Sequence, residues 1–255
     1  MQQKTQAIAL NSGERCPVCG GSGWIDAWEE QEGYGMVRIG RPCPECKSKR
    51  REGDKRNGIP TKYCDAALTH FNFTAYSKDV TKLEKVIKNI FEEFEEKWKS
   101  ERKGVYLWSK TSGSGKTYLS CCLGRSISVK YDQQIRFITA PDYLATVAES
   151  YKRQPGEEDY SLIYRTCDLL ILDDIGTQKS SEWADQELFR LINERLNEGK
   201  ITCFTANTQP QELKLEGRTI SRIFDAAIVL QMPEECVRYK KAWEKQNALL
   251  KDILG

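Results

Sequence analysis

The chain has 255 residues, 39% hydrophobic and 30% charged, which suits one large domain or two smaller ones with the composition of a soluble protein. Its 39 basic and 37 acidic residues leave a formal charge of +2, so whole-molecule charge argues neither for nor against nucleic acid. No run of about 18 apolar residues is present, which excludes a membrane-spanning helix, and the opening MQQKTQAIALNSGER lacks the apolar core of a secretory signal. A cytoplasmic location and no membrane partner are expected.

Residues 1–56 are rich in Cys, Gly and Pro and poor in periodic apolar residues, so they need a staple to fold. Cys16-Pro-Val-Cys19 and Cys43-Pro-Glu-Cys46 offer four thiolates, enough for a closed tetrahedral Zn²⁺ site. A redox pair or an iron–sulfur cluster are the alternatives. Trp24, Trp28, Tyr34 and Met36 between the pairs fit either a partner surface or the small module's own core. Cys121, Cys122, Cys167 and Cys203 sit in or beside apolar stretches, as small hydrophobes do, and a reduced compartment follows. The basic run KSKRREGDKR (47–56) is either a solvated connector or a DNA-backbone contact, and 57–76 reads as a linker into a core spanning 77–255.

From Val80 the apolar residues Leu83, Val86, Ile87, Ile90, Phe91, Phe94 and Trp98 recur at helical spacing, and Gly104 ends this packing helix. Strands then alternate with helices. VYLWS (105–109) precedes the loop SKTSGSGKTYL and a helix through Tyr131. IRFIT (135–139) precedes the helix PDYLATVAESYKRQ and a polar break at PGEED. DLLIL (168–172) ends in Asp173-Asp174 and precedes a helix carrying Trp183, Leu188, Leu191, Ile192 and Leu196. ITCFTA (201–206) ends at Asn207, and AIVLQ (227–231) is a fifth strand. This alternation predicts an α/β fold with a five-stranded parallel sheet and helices on both faces, with ligands at the carboxyl ends of the strands.

The chemistry-bearing residues fall on that edge. Ser112, Gly113, Ser114, Gly115, Lys116, Thr117 and Tyr118 read as a phosphate cradle: small residues expose backbone N–H groups, lysine reaches the terminal phosphates, and the Thr117 hydroxyl meets Mg²⁺. Lys110 stands where the pattern has its first glycine, a position a lysine can take if its φ is negative. Asp173 is expected to hold Mg²⁺ through water, Asp174 to orient or deprotonate the attacking water, and Asn207 to reach that water and the γ-phosphate. The plainer alternatives are a chance Ser/Gly turn, a helix-capping aspartate and a turn asparagine. In 140–165, Tyr143, Tyr151, Lys152, Arg153, Tyr160 and Arg165 combine stacking and phosphate-binding types, or simply form an amphipathic helix and loop. His70 is the sole histidine and has no candidate partner for nucleophilic chemistry.

GSGKT, LLILDDIG and ITCFTANTQPQEL, in this order, resemble the AAA+ ATPases, and within them the bacterial replicative-helicase loaders of the DnaC and DnaI type and the IstB-type transposition helpers. IPTKYCDAALTHFNF (59–73), LFRLINERLNEGK (188–200) and GRTISRIFDAAIVLQ (217–231) extend the likeness over roughly 57–240. It departs at Lys110, and at Asp174, where most AAA+ proteins carry glutamate and the loaders aspartate. The resemblance implies ATP as ligand, and Arg218, with Arg222 as fallback, as an arginine finger reaching a neighbouring subunit's ATP. It implies Arg238 as a second phosphate sensor, self-association through the ATP interface, and weak hydrolysis by an isolated monomer. It further implies a loader that places a replicative helicase on single-stranded DNA, with the zinc module gripping the helicase. An IstB-type helper of a transposase and a nucleotide-bound adaptor with little hydrolysis are the alternatives.

Overall fold

A computed structural model of the chain describes residues 18, 24–31, 35–42, 57–154 and 159–254. By its contacts the chain divides between Cys64 and Asp65 into two compact units. In the first, β1 (Trp24–Gln31) and β2 (Gly35–Pro42) form an antiparallel hairpin with Trp24 opposite Pro42 and Gln31 opposite Gly35. These strands are not anticipated from the sequence, where Gly and charged residues interrupt any alternation. Cys16, Cys19, Cys43 and Cys46, and the basic run 47–56, lie outside the described residues.

The second unit carries the sheet: β3 (Gly104–Trp108), β4 (Ile135–Thr139), β5 (Leu169–Asp173), β6 (Ile201–Ala206) and β7 (Ala227–Gln231). Their order is β4-β5-β6-β3-β7, and every neighbouring pair is parallel. β5 and β6 are buried along their whole lengths, which is why they read as unbroken apolar runs. The helices are α1 (Thr81–Glu92), α2 (Lys116–Tyr131), α3 (Ala140–Ser150), α4 (Leu162–Thr166), α5 (Glu182–Asn197), α6 (Gly217–Ala226) and α7 (Val237–Leu254). One sheet face, with Tyr106, Leu170, Leu172 and Phe204, packs against Tyr143 of α3, Leu188 and Ile192 of α5 and Ile223 of α6. On the other, α2 approaches so closely that a Cβ on Gly124 would stand 2.6 Å from Ile135 Cδ1 and 3.0 Å from Ile171 Cδ1. Among the described residues no helix is long and apolar enough to cross a membrane.

Several boundaries differ from the sequence reading. The helix expected from Val80 to Trp98 breaks at Glu93 and resumes as a π turn, Phe94–Trp98. That wider turn keeps Phe94 and Trp98, four residues apart, on the buried face, with Trp98 Nε1 donating to Asn89 Oδ1 at 3.1 Å. The helix expected to reach Gln154 stops at Ser150, where Arg153 Nε donates to the Ser150 carbonyl at 2.8 Å. Residues 65–76, inside the segment read as a linker, fold into the second unit: Phe71, Phe73 and Tyr76 are buried, and the Phe71 and Phe73 rings meet at 4.7 Å.

Candidate nucleotide-binding site

The loop between β3 and α2 lies at the carboxyl edge of the sheet, and its shape depends on two glycines. Gly113 (φ 79°) and Gly115 (φ 98°) are left-handed. A Cβ on Gly113 would stand 2.8 Å from Cys236 Sγ and 3.0 Å from Arg238 Cβ, and one on Gly115 2.8 Å from Tyr76 Oη. Lys110 is not among the described residues with positive φ, which explains why lysine is tolerated where the pattern has glycine. Its side chain is 66% exposed, with Nζ 3.9 Å from Glu212 Oε2, and points out of the site.

Lys116 is buried, and its Nζ donates to the carbonyls of Ser109 and Thr111, both at 3.1 Å, and to Ser114 Oγ at 3.4 Å. Burial pulls its pKa down, opposed by the charges of Asp174, Glu234 and Asp173. An ammonium folded over a glycine loop at a helix N-terminus is suited to a polyanion. Ser114 is buried and Ser112 exposed. Tyr118 stacks on Phe71 with ring centroids 5.8 Å apart.

Asp173 closes β5 at 5% exposure. Burial pushes its carboxyl up to about 6, and hydrogen bonds from Thr205 and Thr117 work against that rise. Thr205 Oγ1 donates to Asp173 Oδ1 at 2.5 Å and accepts the Asp174 N–H at 2.9 Å. One buried hydroxyl therefore fixes both aspartates, including the left-handed backbone of Asp174 (φ 54°). Asn207, half-buried, follows the last residue of β6, which pairs with Trp108 immediately before the loop. Arg238, in the first turn of α7, donates its N–H to the Gly113 carbonyl at 3.1 Å, and its charge acts on Lys116.

Thr117, Asp173, Asp174, Lys116 and Arg238 thus converge on one edge. Arg218 and Arg222 lie elsewhere, on α6. The Arg218 guanidinium sits 4.8 Å over the Phe189 ring and 2.7 Å from Glu216, and Arg222 pairs with Asp225 at 3.2 Å. Among the described residues no group of three or more His, Cys, Asp or Glu side chains could hold a metal alone. One hydroxyl and one carboxylate, Thr117 and Asp173, nevertheless fit Mg²⁺, which takes most of its remaining ligands from water and phosphate.

Three contributors escaped the sequence reading. Thr205 had a faint signal as a polar residue in an apolar strand. Tyr76, whose Oη donates to the Ser114 carbonyl at 2.6 Å, had none. Glu234 follows β7, and inspecting the carboxyl end of that strand as closely as the others would have reached it.

A model of the bacterial DnaA ATPase domain matches residues 81–230. The chromosomal replication initiator DnaA of Dechloromonas aromatica is 28% identical over 139 residues, 54% of this chain and 30% of that protein. The replicative helicase loader DnaI of Bacillus subtilis is 30% identical over 114 residues, 44% of this chain and 35% of that protein. These matches span about a third of the relatives' own length. The crystal structure of the DnaC helicase loader superposes with a TM-score of 0.58 at 22% identity, covering 68% of this chain and 100% of that one. A replication initiator DnaA bound to AMPPCP and single-stranded DNA gives 0.56 at 22% identity, covering 73% and 55%. At that identity the two structures establish the fold.

Proposed function

The chain belongs to the bacterial DnaA ATPase-domain family, and from that premise we propose that it is an ATP-dependent loader of a replicative DNA helicase onto single-stranded DNA. The observation that carries the nucleotide part is the convergence of Lys116, Thr117, Asp173 and Asp174 around one glycine loop. In this reading the N–H groups of 112–118 cradle the phosphates and Lys116 neutralises them. Thr117 and Asp173 hold Mg²⁺, which supplies charge stabilisation of the departing phosphate. Asp174 and Asn207 orient the attacking water, and Arg238 follows the phosphates from α7. Arg218, backed by Arg222, lies on α6 beside Phe189 and Glu216 and in this reading serves a neighbouring copy, so the isolated chain hydrolyses ATP slowly.

The loader reading draws on the likeness to DnaI and on the paired cysteines ahead of the ATPase unit. The Zn²⁺ part of the reading rests on the spacing of Cys16, Cys19, Cys43 and Cys46 in the sequence, two C-x-x-C pairs that offer four thiolates. A replication initiator that binds DNA without a helicase is the second reading, favoured by the family model itself.

The test is co-elution of the purified chain with the host's replicative helicase in Mg·ATP, with steady-state turnover measured with and without single-stranded DNA and Lys116→Ala as control. A nucleotide-dependent complex is expected, absent or trapped in the variant. Turnover without any helicase complex would refute the loader and leave the initiator. No nucleotide binding at all would remove both.

A further inference from the structure

Two adjacent glutamates in the turn between β7 and α7 grip different segments of the ATPase unit. The Glu234 carboxylate holds the entering limb of the phosphate loop. Its Oε2 accepts from Thr111 N at 2.8 Å, Thr111 Oγ1 at 2.7 Å and Ser109 Oγ at 3.0 Å, and its Oε1 from Lys110 N at 2.9 Å. Partial burial pushes that carboxyl upward, yet the bonds from Thr111, Lys110 and Ser109 outweigh it and hold it at about 2. Glu235 faces the other way and accepts from Ser77 N at 2.9 Å, Ser77 Oγ at 2.9 Å, Lys78 N at 3.0 Å and Lys240 Nζ at 3.1 Å. On either side of the pair, Met232 N donates to the Trp108 carbonyl at 2.7 Å and Arg238 N to the Gly113 carbonyl at 3.1 Å. Residues 232–238 therefore run along 108–113 and hold that limb at both ends and in the middle.

We propose that Glu234 is a positioning residue for the nucleotide. Its carboxylate takes the N–H groups of Lys110 and Thr111, fixes the limb that a first glycine ordinarily shapes, and leaves the later N–H groups turned toward phosphate. Because Glu234 and Arg238 belong to one short segment, the same carboxylate also sets where Arg238 stands relative to Gly113. The proposal rests on the nucleotide reading above. An opposing possibility has physical weight: a carboxylate beside a polyanion site could act mainly by repulsion. Four donors and the nearby Lys116 ammonium offset its charge, so anchoring outweighs repulsion.

Titration with fluorescent N-methylanthraniloyl ADP and ATP, with Mg²⁺, decides between them. Glu234→Ala is expected to weaken both nucleotides about tenfold, Glu234→Gln about threefold, and Glu235→Ala to stay within about twofold of the native chain. The loss caused by Arg238→Ala should shrink in the Glu234→Ala background, because Arg238 has already lost its placement. Should Glu234→Ala fail to fold, Glu234→Gln alone carries the comparison. Native affinity in folded Glu234→Ala or Glu234→Gln, or tighter binding by either, overturns the proposal. So do equal affinity losses in the Glu234→Ala and Glu235→Ala variants, the mark of a merely structural effect. A native chain that binds no nucleotide refutes instead the reading on which the proposal rests.

Discussion

Replacing Thr205 by valine removes one hydroxyl and preserves the side chain's volume. Thr205 is fully buried in β6, where it donates to the Asp173 carboxylate and accepts the Asp174 N–H. The bond to a charged group contributes about 1.5–3 kcal/mol, and the orphaned N–H of Asp174 costs about 1–2 kcal/mol more. The left-handed backbone of Asp174 also loses the bond that pins it, which releases rather than adds strain and trims the total. A net destabilisation of about 3 kcal/mol follows, lowering Tm by roughly 6–12 °C in a unit of this size. Thr205→Ser keeps the hydroxyl and loses only a buried methyl, about 1 kcal/mol. Thermal unfolding followed by circular dichroism measures both variants, and ATP turnover at 25 °C reads the loss of aspartate placement in Thr205→Val. If valine were as stable as serine, the hydroxyl would not be holding the two aspartates, and the account of this edge would fail.

Lys110→Gly should leave nucleotide affinity within about twofold, since the lysine has no positive φ and points outward; a tenfold gain would show that it impairs the cradle. Gly113→Ala should cost about 1–2 kcal/mol for its left-handed backbone and abolish nucleotide binding through its clash with Cys236 and Arg238, read by fluorescence titration against the native chain. Glu234 is held at about 2, well below the 4.5 of a free glutamate, so its stabilisation is complete above pH 4.5 and fades as pH falls toward 2. Glu234→Gln should therefore narrow the stability gap to the native chain in acid, seen as converging urea midpoints between pH 5 and pH 3. One Zn²⁺ per chain by elemental analysis, lost in a Cys16→Ser, Cys43→Ser variant, is expected of the first unit; a metal-free native chain would remove the zinc site.

Much of the sheet and part of its candidate site are legible in the sequence. Leu169–Asp173 and Ile201–Ala206 are apolar because both faces are covered, so their carboxyl ends, and with them Asp173, Asp174 and Asn207, stand out. The loop announces itself because the left-handed angles at positions 113 and 115 strongly favour glycine. What escaped reading depends on partners remote in sequence. Glu234 is marked only by its place after β7, its bonds to residues 109–111 being remote in sequence, and Tyr76 looks like linker until it meets Ser114. The π turn at Phe94–Trp98 arises because burial of two large rings outweighs regular helix geometry. The hairpin's Gly35, Gly40 and charged residues hide its strands from a search for alternation.

The grip of Glu234 on Lys110 joins residues 124 apart, and that of Glu235 on Ser77 joins residues 158 apart. Contacts so distant along the chain are the last to close, because loop-closure entropy must be met before they form. On a ribosome the whole glycine motif emerges long before the turn that shapes it. In the proposed reading the glycine loop takes its form only after the turn carrying Glu234 and Glu235 has been made, and a nascent chain stalled at Gln231 carries the glycine motif and both aspartates without the carboxylates that hold the loop. A nucleotide bound at that loop would in turn reward only chains in which this turn has closed, because a ligand stabilises the form that binds it.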